Sequence, residues 1–128
     1  MKFLLRIRTT DATLTNITTN AAPVSGTNQV LLQNNNSFNY TGTILGKQSG
    51  STNVASWSIS GLIVRGATAA TTTLVINNVN LISNAPGWGT PIVSANTTFG
   101  ELQIQVTGAG ATNIQWIAVV ETIEVIYA

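Results

Sequence analysis

The sequence predicts an all-β protein: an antiparallel β-sandwich or jelly roll of about seven or eight strands, in one domain that spans residues 1–128. Apolar and polar residues alternate with period two along several runs that are rich in Val, Ile and Thr. Clusters of Gly, Asn and Ser separate these runs. Nowhere does an apolar stripe with helical spacing persist, so no long helix is expected.

The first run begins at the N-terminus. Phe3, Leu5 and Ile7 alternate with basic residues, which predicts a half-buried strand whose outer row is Lys2, Arg6 and Arg8. The apolar stretch 3–5 is shorter than the ~7–15 residues of a signal-peptide core, so we predict a strand and no export signal.

Six further runs have the length and composition of strands. In the sixth run, Leu102, Ile104 and Val106 are expected to face inward, and Glu101, Gln103, Gln105 and Thr107 outward. The last run is apolar on both faces between residues 114 and 120, which places it centrally in a sheet or between the domain and a neighbouring subunit. The predicted runs are 29–33, 38–48, 54–65, 72–83, 101–107 and 113–127.

Composition excludes several classes of function. The chain has no histidine and no cysteine, and only nine charged side chains (five Lys or Arg, four Asp or Glu), so groups for acid–base or nucleophilic catalysis are scarce. We therefore predict that the protein is not an enzyme and holds no cofactor. We also predict that it binds no metal, because Asp11 is isolated from the other carboxylates in the sequence. A net charge of +1 argues against nucleic-acid binding, and no apolar run is long enough for a membrane helix.

Two pairs of alternatives concern charged residues. Glu121 and Glu124 are close in sequence, but positions i and i+3 of a strand point to opposite faces, so charges that solubilise an edge are favoured over a catalytic pair. The row of Lys2, Arg6 and Arg8 is a candidate contact for an acidic partner. It is equally a solvated edge that discourages strand pairing.

The three tryptophans divide by context. Trp57 and Trp116 alternate with apolar neighbours and are predicted to lie in the core. Trp88 follows the turn residues Pro86 and Gly87, where it either contacts a partner or a sugar, or packs over the end of the sandwich.

From residue 41 to residue 125 the order of motifs resembles a β-domain of bacteriophage tail fibres, tailspikes and other virion proteins. The similar segments are GTILGKQ (42–48), WSISGLIVRG (57–66), TTTLV (71–75), APGW (85–88), TTFGELQIQVTG (97–108), NIQW (113–116) and VETIEV (120–125).

This resemblance implies a homotrimeric, non-enzymatic component of a phage particle. Because Met1 leads directly into the first strand, we expect a capsid decoration (cement) protein rather than a fibre fragment. It would be made in the cytoplasm of the bacterial host, lie on the virion surface and bind the major capsid protein or another virion protein. The alternative is the receptor-binding tip of a tail fibre, which recognises a host surface glycan. A small carbohydrate-active enzyme is the third hypothesis.

Overall fold

The computed structural model describes residues 1–126 and contains nine strands in two antiparallel sheets, which face each other as a β-sandwich. A 3-10 turn, Ala69–Thr71, lies in the small-residue connector before the sixth strand. The strands are β1 (Lys2–Thr9), β2 (Leu14–Asn16), β3 (Val30–Leu31), β4 (Asn36–Gln48), β5 (Val54–Val64), β6 (Thr73–Asn84), β7 (Ile92–Asn96), β8 (Glu101–Thr107) and β9 (Ile114–Ile126).

The larger sheet has five strands in the order β1-β9-β4-β5-β6. Strands β4, β5 and β6 follow one another as a meander, and β9 lies between β1 and β4. The two edges of this sheet are therefore β1 and β6. The central place of β9 agrees with its apolar residues on both faces.

The smaller sheet is built around β8. Strands β3 and β7 both pair with the start of β8, so they lie on opposite sides of it. Strands β2 and β7 both pair with Gln105 of β8 and therefore also lie on opposite sides. Strands β2 and β3 thus share one side of β8, and β7 lies on the other. Leu102, Ile104 and Val106 face the core, as predicted.

Three tryptophans fill one end of the core. The rings of Trp57 and Trp116 stack with centroids 6.1 Å apart, and Trp88 meets Trp116 edge-on at 5.7 Å. The indole Nε1 of Trp116 donates to Thr9 Oγ1 at 2.9 Å, so its polar atom is satisfied inside the core. The prediction that Trp57 and Trp116 are core residues is confirmed.

Two glycines let large aromatic rings cross the inner face of the larger sheet. A Cβ on Gly46 would lie 2.6 Å from the Trp116 ring, and a Cβ on Gly61 would meet the Tyr40 hydroxyl and the Ile76 carbonyl oxygen. Across the bare backbone of Gly61, Tyr40 on β4 reaches β6 and donates to Asn77 Oδ1 at 2.9 Å. Burial raises the pKa of Tyr40 to about 12.

The structure departs from the predicted elements in three places. Strands β2 and β7 were not predicted, and the predicted run 29–33 contains only the two-residue strand β3. The expectation that Glu101 faces outward is wrong, because its side chain is 0% exposed. The backbone N–H of Gln29 donates to Glu101 Oε2 at 3.2 Å, which shows that the segment before β3 covers the Glu101 side chain. Residue 127 of the last run lies outside the described residues.

Candidate interaction surface

The basic row predicted at the N-terminus lies on the outer face of β1. Lys2, Arg6 and Arg8 are exposed there, while Leu5 points into the core. Lys47 is held differently, since its Nζ donates to the Ser51 carbonyl oxygen at 2.8 Å. Contact of the basic row with a partner stays a prediction.

The ion pair in this row is a surface pair. Lys2 Nζ lies 3.8 Å from Glu121 Oε1 on β9, and the two side chains are 70% and 65% exposed. Such exposed pairs contribute little to stability, typically below ~1 kcal/mol. The guanidinium of Arg8 lies against the Gln115 side chain, whose amide oxygen accepts from Nε at 2.8 Å when the amide is oriented to satisfy both groups. The row is therefore solvated and open to a partner.

Apolar side chains continue the outer face beside the basic row. The register places Arg6 beside Ile117 of β9 and Ile117 beside Leu45 of β4, and the last two side chains are both 46% exposed. Leu4 is also exposed, between the cations of β1. We call this set the outer-face patch: Lys2, Leu4, Arg6, Arg8, Leu45 and Ile117. It combines positive charge with apolar area, as protein-binding surfaces often do.

The other notable surface is an open strand edge. Strand β6 pairs only with β5 within residues 1–126, so its second row of backbone N–H and C=O groups meets no other strand. Four large apolar side chains of β6 are between 55% and 63% exposed: Val75, Ile76, Leu81 and Ile82. No residue of β6 is charged. We call residues 73–84 the β6 edge.

The opposite edge of the same sheet is better protected. Arg6 and Thr18 exchange two backbone hydrogen bonds, of 2.8 and 3.3 Å, which cover part of the free side of β1. The strand also carries three cations, and charge is a common device against edge pairing. The two edges of the sheet therefore differ in kind: β1 is charged and partly covered, whereas β6 is neutral and open.

Trp88 is not available to a ligand. Its side chain is only 7% exposed and belongs to the hydrophobic core. The Asn84 side chain fixes the turn that carries it: Asn84 Oδ1 accepts from the Trp88 N–H at 3.0 Å, and Nδ2 donates to the Trp88 carbonyl oxygen at 2.6 Å. Of the two alternatives for Trp88, the structure supports packing over the end of the sandwich and contradicts an exposed partner or sugar contact.

The buried Glu101 is the least expected charged group. Desolvation raises the pKa of Glu101, and the hydrogen bond from the Gln29 N–H opposes this shift. Its Oε1 has no hydrogen-bond partner within residues 1–126. The neighbouring Arg65 is used elsewhere, because its Nη1 donates to the Leu32 carbonyl oxygen at 2.6 Å and its Nη2 to Asn34 Oδ1 at 2.7 Å. Both side chains contact loop segments: Glu101 the segment before β3, and Arg65 the segment after it.

The acidic residues do not assemble into a site. Glu121 is exposed on the outer face, whereas Glu124 lies on the inner side, where Thr122 Oγ1 donates to its Oε1 at 3.2 Å. The two carboxylates thus point to opposite faces, as the sequence predicted. A hydrogen bond from the Thr13 N–H lowers the pKa of Asp11, which stands apart in a turn. Residues 1–126 hold no group of three or more acidic ligands for a metal ion.

The β6 edge was missed at the level of the sequence, although a signal for it exists. No residue between Arg65 and Glu101 is charged, and the edge lies within this stretch. In a central strand such neutrality would be ordinary, because both of its edges are paired. The strand order, which places β6 at the end of the sheet, is what makes this neutral strand an exposed edge.

Comparisons with known proteins identified no relative of this chain. Neither a protein-family model, nor a curated protein, nor a solved structure matches the chain. In the part of the chain that the structure describes, no helix has the length and apolar character needed to cross a membrane.

Proposed function

We propose that this protein is a non-enzymatic structural component of a bacteriophage particle, a homotrimeric decoration protein that coats the capsid surface and binds the major capsid protein. One observation carries the proposal: the β-sandwich presents a broad outer sheet face that combines apolar side chains with a basic row. The reason for proposing a phage particle is that the order of the chain's sequence motifs resembles that of phage virion β-domains.

The chemistry of the chain supports a role in assembly. The carboxylates of the last strand point to opposite faces, Glu101 is buried, and residues 1–126 hold no group of three or more acidic ligands. Few charges and a net charge of +1 also give little electrostatic resistance to close packing of many copies.

The outer-face patch is the surface that we assign to the capsid contact. Its apolar members, Leu4, Leu45 and Ile117, lose water on contact, and the cations beside them favour an acidic border on the capsid protein. Many copies that each bind the shell weakly stabilise it by mass action, because every bound copy favours the intact lattice.

The amount of the protein in purified particles tests this proposal. In particles of the phage that encodes the chain, quantitative mass spectrometry should find a copy number comparable to that of the major capsid protein. Imaging of intact particles with an antibody against the chain should label the shell. A handful of copies, or label confined to the tail, would contradict the capsid role and favour the tail-fibre tip.

A binding experiment tests the assigned surface. The double variant Arg6→Glu/Arg8→Glu should lose binding to particles that lack the protein, because its reversed charges would repel an acidic border. Arg6→Lys/Arg8→Lys keeps the charge and is the matched control, which should still bind. Circular dichroism must show that both variants are folded. Equal binding by the two variants would remove the basic row from the contact.

A further inference from the structure

We infer that the β6 edge pairs antiparallel with the β6 edge of a second copy of this chain. The two five-stranded sheets would then run together as one continuous sheet across a two-fold axis perpendicular to it. This inference does not depend on a viral role for the protein, since it concerns only how two copies meet.

The first argument is the open backbone of the edge. Strand β6 has 12 residues, about 40 Å at ~3.4 Å per residue, and from Ile76 to Leu81 every second residue directs its N–H and C=O away from β5. Proteins usually block such an edge with Lys, Pro, a short strand or a covering loop. Strand β6 carries no charge and no proline, and within residues 1–126 it pairs with β5 alone. A long neutral edge of this kind is a template for another strand.

The second argument identifies the occupant. The β6 edge has apolar residues near both ends and Asn-rich positions around Val79 between them; the apolar residues are Leu74, Val75 and Ile76 near one end and Leu81 and Ile82 near the other. When the strand is reversed and laid beside itself with Asn78 opposite Asn78, Val75 of one copy lies opposite Leu81 of the other and Leu74 opposite Ile82. With Val79 opposite Val79, Ile76 lies opposite Ile82. With no charge in β6, no like charges oppose each other in this arrangement. The edge is therefore complementary to its own copy.

The third argument is geometric. Register shifts interrupt the pairing with β5 near both ends of β6, but the stretch from Ile76 to Leu81 pairs with β5 without interruption. Side chains alternate between the two faces of a strand, and residues that lie opposite each other must point to the same face. Two copies related by this two-fold axis therefore pair only in registers that place a residue opposite itself. The two central ones place Asn78 opposite itself or Val79 opposite itself. In the first register the exposed Asn78 lies opposite Asn78 of the other copy, and in the second it lies opposite the exposed Asn80.

Within a homotrimer, this pairing would add a second kind of contact. A two-fold interface between β6 edges joins copies from neighbouring trimers and leaves the outer-face patch free. A layer of trimers on a shell would thereby be linked copy to copy.

A charge-complementation experiment tests the inference on the isolated protein. Analytical ultracentrifugation should show that Asn78→Lys/Asn80→Lys has a lower assembly mass than the wild type, because like charges then oppose each other across the axis. We expect its self-association to be about tenfold weaker or more. Asn78→Glu/Asn80→Glu should behave in the same way. An equimolar mixture of the two variants should regain the wild-type mass, since Lys then faces Glu.

The matched control places the same two charges, with the same spacing, on the same face of a central strand. Thr41→Lys/Thr43→Lys lies on β4, whose edges are both paired, and it should keep the β6 contact. An unchanged mass for the β6 variants, failure of the mixture to restore it, or equal loss in the control would each overturn the inference. Failure of the wild-type protein to bind the particles, with its β6 pairing intact, would instead count against the proposed function.

Discussion

Gly61 lies beneath the ring of Tyr40, and we expect Gly61→Ala to be strongly destabilising. An Ala Cβ would meet the Tyr40 hydroxyl oxygen and the Ile76 carbonyl oxygen, and would lie 2.7 Å from Tyr40 Cζ. The Ile76 carbonyl belongs to the backbone of β6, so a shift there disturbs the ladder between β5 and β6. Tyr40 would have to move away and release its hydrogen bond to Asn77.

The size of the effect follows from three contributions. Overpacking a core position costs about 1–3 kcal/mol. Loss of the hydrogen bond from Tyr40 costs about 1 kcal/mol. Replacing Gly with Ala restricts the unfolded chain and returns about 0.4–1 kcal/mol. We therefore expect the free energy of unfolding to fall by about 2–3 kcal/mol, which lowers Tm by about 8–12 °C in a domain of this size.

Urea denaturation followed by tryptophan fluorescence measures this change. Gly110→Ala is the matched control, because a Cβ at Gly110 would meet nothing within 4 Å, and its stability should stay within about 1 kcal/mol of the wild type. In the Tyr40→Phe background, which lacks the hydroxyl, Gly61→Ala should cost about 1 kcal/mol less than in the wild type. If Gly61→Ala and Gly110→Ala are equally stable, the ring yields freely and the reasoning is refuted.

Three further predictions use the same measurements of unfolding. Trp88→Ala should lower the free energy of unfolding by about 3–5 kcal/mol, because it empties a buried site against Trp116; unchanged stability would show that its packing is unimportant. Burial raises the pKa of Glu101 above 4.5, its ordinary value, so the folded protein favours the neutral carboxyl. As the pH rises from below 4.5 through the raised pKa, the free energy of unfolding of the wild type should therefore fall relative to that of Glu101→Gln. A difference between the two proteins that does not vary with pH would contradict the burial of this charge. Lys2→Ala should change stability by less than about 0.5 kcal/mol, and a larger loss would mean that its pairing with Glu121 is stronger than its exposure implies.

Much of the sandwich could be predicted because alternation reports directly which face of a strand is buried. The inward set Leu102, Ile104 and Val106, the core tryptophans Trp57 and Trp116, and the outward basic row on β1 all follow from period two. The short strands β2 and β7 escaped, since three to five residues are too few to establish a period.

The candidate interaction surface was only half predictable. The positions of Lys2, Arg6 and Arg8 on one face could be read from spacing, and so could the opposite orientations of Glu121 and Glu124. The burial of Glu101 could not, because it depends on the Gln29 segment that folds over the start of β8. Trp88 was left between two alternatives, since a turn residue packs inward only if the partner ring of Trp116 lies beneath it.

The sequence by itself determined the fold class, the faces of the longer strands and the scarcity of ionisable groups, because all three depend on residue type and local spacing. The tertiary structure alone decided which strands became edges: it placed the apolar β9 between β1 and β4 and, among residues 1–126, left the neutral β6 paired on one side only. A strand's own pattern says which faces are buried, but its edges are set by its neighbours, and those are chosen by pairing between residues far apart in the chain.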